Sequence, residues 1–501
     1  MVETVKNSKE EFSGLRAILW PVHNHEVKKF VPMCLLMFCI LFVYTMVRDL
    51  KDVFIIKYAV MGAPELIPIL KIFFVMPFAF FIVMVYSTLI NKFGTTKTFY
   101  VMITSFMSFY LIFILFLFPN INYLHLNAEK VKIMQDGAPG IFSYIIPCLT
   151  NWVYSLFYTI SETWGTIAVS SLFWQFANQV TKKNEVRRFY GLYPLIGNWG
   201  VIVSGASLQR MSKGASDAMF TKNVYVLISA CIFFCLATMA VYHYIHRKVM
   251  TDPTLYSPEE IVEKKKKEKV SMMDGINILF KTPYLLLICA LVIAYGVIIN
   301  LVEVVWKAHM NRTFTDSGSY ANMMSNVSIF TGIFTICATI FSTYILRRFS
   351  WKIAALIVPI GTFVFGSLFY ILILYNNATP GAVMLGASVP ILAVWVGLIA
   401  DALSKSVKYC LFDPTKSMAY IPLDKDTKTK GQAAVEVIGG RAGKAGGAAV
   451  TFFLTNIMVP GSKIMRHLGI LITVFVLASI WWISSVLKLS KSYEAKIIEN
   501  K

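Results

Sequence analysis

The chain has 501 residues, 57% of them hydrophobic and only 15% charged, with a mean hydropathy of +0.63. A soluble globular domain is about 25% charged, so this composition excludes an ordinary soluble enzyme and leaves no room for a sizeable soluble domain. The formal charge of +20 would point to nucleic acid in a soluble protein, but the basic residues concentrate in alternate loops, as the positive-inside rule requires, and imply no nucleic-acid partner.

Residues 1–29 are polar, include Lys28 and Lys29, and contain no short apolar core before a cleavage site; a cytoplasmic segment ahead of an uncleaved first helix is expected. Apolar runs long enough for a hydrocarbon core of ~30 Å then recur to the end of the chain. They predict helices near 30–57, 65–90, 99–118, 147–177, 189–209, 221–246, 283–308, 321–346, 351–375, 382–404, 431–458 and 467–488. The expectation is an all-α polytopic membrane protein with about twelve transmembrane helices. Charge asymmetry puts both termini in the cytoplasm.

Residues 247–282 are the most charged stretch and include the run Lys264-Lys265-Lys266-Lys267-Glu268-Lys269. They are read as a basic cytoplasmic linker between six-helix bundles at 30–246 and 283–488, with a cytoplasmic tail at 489–501. That is the 6+6 arrangement of major-facilitator transporters, whose substrate sits between two rocking halves. The lysine run itself suits contact with anionic lipid. Eight cysteines, mostly inside apolar segments, read as small buried hydrophobes. Seven scattered histidines give no metal or catalytic cluster, so neither a cofactor nor an enzymatic reaction is expected.

Ionisable groups at membrane depth are costly unless they face water or a partner, so they are the first functional candidates. In the first helix, Arg48-Asp49-Leu50-Lys51-Asp52 precedes more apolar sequence; Arg48 and Asp52 are four apart and are expected to pair, leaving Lys51 to face the bundle. Glu162 sits near the middle of the fourth helix and needs a cation, water or hydrogen bonds from Thr159, Ser161 or Thr166. Glu303 is its analogue in the seventh helix, with Lys307 one turn on. In the eleventh, Arg441 and Lys444 share a face within Gly439-Gly440-Arg441-Ala442-Gly443-Lys444-Ala445-Gly446-Gly447, a pattern suited to a polyanion. Aromatic rings along the fourth helix, and Trp199 in the fifth, offer surfaces on which a base can stack, although packing explains most such rings.

The segments RDLKDVFI, YTISETWGTIAVSSLFWQFANQ, AYGVIINLVEVVWK and FDPTKSMAYIPLDKDTKTKGQAAVEVIGGRAGKAGG resemble the signature regions of the non-mitochondrial ATP/ADP translocases, the nucleotide transporters of rickettsiae, chlamydiae and plastids. The resemblance spans essentially the whole chain. It implies a nucleotide antiporter exchanging ATP for ADP by alternating access, with functional charges at Lys51, Glu162, Glu303 and Lys444. Arg441 lies in the same motif as Lys444, and Asn198 falls where the family carries a polar residue. Members of the family also carry GTP, CTP or UTP, some with proton or phosphate coupling, and a facilitator for another phosphorylated anion has similar architecture. ATP, ADP or other nucleotides and membrane lipids are the expected partners of a monomeric protein.

Overall fold

The computed structural model describes residue 16 and residues 20–138, 142–182, 185–256, 272–459 and 461–499; the lysine run of the linker lies outside them. Its long helices are labelled here in chain order. Helix α1 spans Val27–Tyr58, and Leu66–Leu117 is broken into α2 (66–93) and α3 (95–117). The break is at Gly94, whose φ of +74° lies in the left-handed region that glycine adopts without a Cβ clash. The series continues with α4 (142–180), α5 (Val186–Ser212), α6 (Asp217–Val249), α7 (Pro283–Thr313), α8 (Ser317–Arg348) and α9 (Trp351–Ala378). It ends with α10 (Val389–Ala419), α11 (425–458) and α12 (Leu468–Glu499). Among the described residues the only strands are a two-residue hairpin, Val383–Met384 with Ala387–Ser388.

Eight helical segments of the described chain are long and apolar enough to cross a membrane, which makes this a multi-pass membrane protein. The twelve crossings expected from sequence also count helices that are more polar or interrupted, such as α4, α5 and α11. In α1 and α7, 72% of the apolar window is buried, against 28% along Leu66–Leu117 and 33% along α6. Two apolar helices are therefore central, while the others turn much of their surface outward to lipid.

Glycines set how closely the central helices approach. A Cβ at Gly200 of α5 would come within 2.3 Å of the Phe38 carbonyl oxygen on α1, and one at Gly205 within 3.0 Å of the Ser325 carbonyl oxygen on α8. Helix α5 is thus wedged between α1 and α8. On α11, a Cβ at Gly443 or Gly447 would meet the backbone of α7 at Val292, Ile293 and Val297, at about 3 Å. Small residues at such contacts let helices pack on their backbones where no hydrophobic force drives them together.

Polar ties mark the two ends of α1. At its start, Lys29 donates to both oxygens of Glu185 at 2.6 Å and to the Leu255 carbonyl at 2.9 Å, while Arg188 pairs with Glu26 at 2.6 Å. At its far end, Lys57 donates to the Phe314 carbonyl at 2.5 Å. Nearby, Asp217 accepts from the Ser317 amide and hydroxyl at 2.8 and 2.6 Å, and Glu65 accepts from the Ile464 amide at 2.8 Å. The first set joins the segments around α1, α5 and the end of α6. The second joins the N-terminal helices to α7, α8 and the start of α12, and so closes that end of the molecule.

Candidate functional site

Between the two ends, ionisable side chains from four helices form one continuous alternation of charge. Glu162 on α4 pairs with Lys51 on α1 at 2.9 Å. Lys51 also meets Asp52 at 3.0 Å, and the other oxygen of Asp52 receives Lys307 of α7 at 2.8 Å. Lys307 pairs with Glu303 at 2.9 Å, Glu303 with Lys405 of α10 at 3.4 Å, and Lys405 with Asp401 at 2.8 Å. Beside this chain, Arg48 lies 3.3 Å from Asp49 and donates to the Ser328 hydroxyl of α8 at 2.9 Å; that hydroxyl in turn hydrogen-bonds Asp49. Lys71 of α2 donates to Asn300 of α7 at 3.0 Å.

Exposure grades along the chain. The middle is dry: the side chains of Lys51, Asp52 and Lys307 are each 2–3% exposed. Around it, Glu162 is 32%, Lys405 22%, Arg48 19% and Glu303 18% exposed, while Asp401 and Asp49 are as dry as the centre. Solvent therefore reaches the flanks of the cluster, and the central node is sealed. Counting Arg48, Asp49 and Lys71 with the chain, five cations face five carboxylates among the described residues. Each group is partnered, as charges withdrawn from water must be.

Several sequence expectations meet in this cluster. Lys51, Glu162 and Glu303 belong to it, although no one of them touches both others. Arg48 does not pair with Asp52 one turn away: its partners are Asp49 and Ser328, and Asp52 is taken by two lysines. Helical spacing brought the Arg48 and Asp52 Cβ atoms near one another, but cations on α1 and α7 offered shorter paths. Glu162 finds the cation it needed, whereas Thr159 bonds back to its own helix through the Ser155 carbonyl. Asn198 is outside the charged chain and donates to the Pro194 carbonyl one turn back. The side chains of Arg441 and Lys444 lie outside the described residues; their backbone belongs to the helical stretch Gly440–Phe452.

The aromatic candidates divide as packing predicts. Trp164 is fully buried and donates to the Ile40 carbonyl at 3.1 Å, while Trp199 is 55% exposed and away from the charges. Tyr158 is the exception, fully buried with the Lys51 ammonium 3.9 Å from its ring centroid. A cavity of about 510 Å³ between α2 and α4, lined by Phe73, Phe78, Leu149, Trp152 and Leu156 among others, is apolar and holds none of the charges. This groove offers no charge to a polyanion.

Sequence reasoning missed Asp52 as a bridging group and passed over Lys71, Asp401 and Lys405. Helical turns of the wider π type adjoin the cluster at Leu70–Val75, which holds Lys71, at Gly165–Phe173 and at Lys408–Phe412, a feature common at functional sites.

The chain is similar over 98% of its length to the ADP,ATP carrier protein 1 of Chlamydia trachomatis, with 37% identity covering 93% of that protein. It is 36% identical to the ADP,ATP carrier protein 1 of Rickettsia typhi, covering 99% of this chain and 100% of that one. The ADP,ATP carrier protein 3 of Rickettsia felis is 33% identical over 96% and 98% of the two chains. Among solved structures, a bacterial homologue of the iron transporter ferroportin in an inward-facing state superimposes with a TM-score of 0.57 at 10% identity, covering 94% of this chain and 100% of that one. A D-xylose–proton symporter does so with a TM-score of 0.56 at 12% identity, covering 92% and 97%. At such identity these two structures establish the major-facilitator-like fold and nothing about substrate. Residues 5–493 match the family described as TLC ATP/ADP transporter, and the chain belongs to that family.

Proposed function

We propose that this protein exchanges ATP for ADP across a membrane by alternating access, with the charged cluster as its substrate site. The observation that carries the reading is the alternation Glu162, Lys51, Asp52, Lys307, Glu303, which joins helices from both ends of the sequence at one buried point. The names of the relatives favour ATP and ADP over other nucleotides. In the empty protein, Glu162 and Glu303 neutralise the lysines; in the loaded protein, Lys51, Arg441 and Lys444 hold the phosphates. Arg and Lys suit this division, because a guanidinium forks onto phosphate oxygens while an ammonium acts as a point charge. The described cluster is charge-balanced when empty, so a nucleotide needs additional cations, and Arg441 and Lys444 on α11 supply them.

The rest of the reading follows the sequence. Two six-helix bundles, 30–246 and 283–488, rock about the site and are joined by the linker 247–282. Both termini face the cytoplasm of a bacterial cell, the membrane is the inner one, and the working unit is a monomer in contact with lipid. Exchange of ATP for ADP moves about one net charge, worth about 2.3 kcal/mol per 100 mV, unless phosphate or a proton travels too.

The test is uptake of labelled ATP, GTP, CTP and UTP into proteoliposomes preloaded with each candidate counter-nucleotide. ATP uptake that depends on internal ADP is expected. Absence of uptake for every nucleotide removes the reading.

A further inference from the structure

Of the carboxylates in the cluster, Asp52 has a position that the substrate reading does not use. One of its oxygens is held by Lys51 on its own helix and the other by Lys307 on α7, at 3.0 and 2.8 Å. The joint is dry, and on its far side α1 continues through the buried Val53, Phe54, Ile55 and Ile56 to Lys57, which is tied to the Phe314 carbonyl. Opening that end of the protein requires α1 to part from α7, and parting them breaks the Asp52–Lys307 pair.

We infer that Asp52 is the lock that makes exchange obligatory: it competes with nucleotide phosphate for Lys51 and Lys307, and it holds the empty protein closed at this end. The inference rests on the nucleotide-exchange reading above. Without a ligand, separating the pair leaves two charges unpaired in a dry interior, the most expensive way to disrupt a buried ion pair. A phosphate group arriving from the wet flank, past Glu162 and Glu303, gives both lysines a new anion. Asp52 then needs donors of its own, and two are at hand. Among the described residues the hydroxyls of Tyr158 on α4 and Tyr320 on α8 are buried with no hydrogen-bond partner; the Tyr158 ring centroid lies 3.9 Å from the Lys51 ammonium, and both hydroxyls interact electrostatically with Asp52 and Lys307. Of the buried hydroxyls without a partner among the described residues, these two are free to donate to a displaced Asp52 carboxylate. Only the loaded protein can part α1 from α7 with every charge still satisfied, and a ligand shifts such an equilibrium only through this kind of differential interaction.

The experiment uses the full chain in proteoliposomes loaded with labelled ATP, with efflux followed in the presence and absence of external ADP. The wild-type chain is expected to release ATP only against ADP. Asp52→Asn is expected to raise unaccompanied efflux at least about tenfold, the population change given by 1.4 kcal/mol of lost bias. Asp52→Glu, which keeps the carboxylate, restores dependence on ADP. Strict exchange by Asp52→Asn, or loss of exchange and efflux together in a folded variant, overturns the lock. If the wild-type chain shows no ADP-dependent efflux, the exchanger reading itself has failed, whatever Asp52 does.

Should Asp52→Asn not fold, the double variant Asp52→Asn/Lys307→Gln leaves no lone charge at the joint. A cysteine at Ile56, buried beyond the joint, is then probed with a membrane-impermeant maleimide, with labelling of the chain lacking that cysteine subtracted. Labelling without nucleotide supports the lock; labelling that still requires nucleotide overturns it.

Discussion

Two clusters of buried ion pairs lie on α1, and they are built for opposite purposes. At its start, Lys29 is enclosed by both oxygens of Glu185 and the Leu255 carbonyl, and Arg188 grips Glu26. These partners lie on segments around α1, α5 and the end of α6, all within the first 256 residues. Near its other end, Lys51 and Asp52 join a chain that continues through α7 to α10, with exposed carboxylates on its flanks. The difference lies in topology and access rather than strength. The first cluster ties neighbouring segments of the first 256 residues, with Arg188 16% exposed at its edge. The second is dry at Lys51, Asp52 and Lys307, reaches solvent at Glu162, and joins segments from residue 48 to residue 405.

The comparison predicts that substitutions in the two clusters fail in different ways. The largest effect is expected at the site: Lys51→Ala or Lys444→Ala should cut exchange by roughly 30- to 150-fold, the loss of a charge-assisted contact of about 2–3 kcal/mol. Folded protein should remain in the membrane. Wild-type uptake by either variant would remove that lysine from the substrate site. In the first cluster the order is reversed. Lys29→Ala strands Glu185 and should destabilise the protein by about 3–5 kcal/mol, whereas the paired replacement Lys29→Met/Glu185→Leu should be close to neutral. Melting of the purified protein measures both, and exchange per folded molecule should stay near wild type in the paired variant. If Lys29→Ala melts normally but fails to exchange, the two clusters are not distinct.

Much of the site was legible because charges in apolar runs are conspicuous. Lys51, Glu162 and Glu303 stand out against their neighbours, and a single sequence was enough to raise them. Asp401 lies within the apolar run 382–404 and was passed over, whereas Lys405 falls just past its end and counted as loop. The structure carries α10 on to Ala419, which places Lys405 in the helix one turn after Asp401. Asp52 was assigned to Arg48 on helical spacing alone. Periodicity says which residues share a face, but partners across helices depend on how α1, α4, α7 and α10 are arranged, and no local pattern encodes that. The fold was legible for a related reason: long apolar stretches and the glycines at helix contacts are local features, while the closed end is made of ties such as Lys57 to Phe314 that link distant segments.

A smaller effect separates contacts inside a bundle from those across it. Gly200 packs on α1 and Gly205 on α8. Gly200→Ala places a Cβ against a backbone oxygen that cannot move without shifting α1, so lower folding yield is expected. Gly205→Ala meets the Ser325 carbonyl and the Ile329 side chain at 2.9–3.0 Å, a milder overlap of about 1–3 kcal/mol. Because it loosens the face between α5 and α8, it should make the cysteine at position 56 more reactive while the protein stays folded. Unchanged reactivity would mean that this face is not part of the closed end.

The smallest expected effect concerns acid, and it probes the first cluster alone. Burial favours the neutral form of Glu26, but hydrogen bonds from Arg188 and from the His23 amide outweigh it and hold the carboxyl below its ordinary range. A carboxylate with a lowered folded-state pKa adds stability that is complete above its unfolded value, about 4.3, and that disappears as pH falls through the folded value. Melting temperature should therefore hold steady at pH 5 and above and decline below about pH 4.3. Glu26→Gln should lower the plateau slightly and flatten part of the acid slope, because the glutamine cannot gain a proton there. Exchange per folded molecule at neutral pH should be unaffected, since Glu26 touches neither Lys51 nor Lys307. An acid slope identical in the wild-type and Glu26→Gln proteins would show that the start of α1 is held by packing, with its ion pairs contributing nothing measurable.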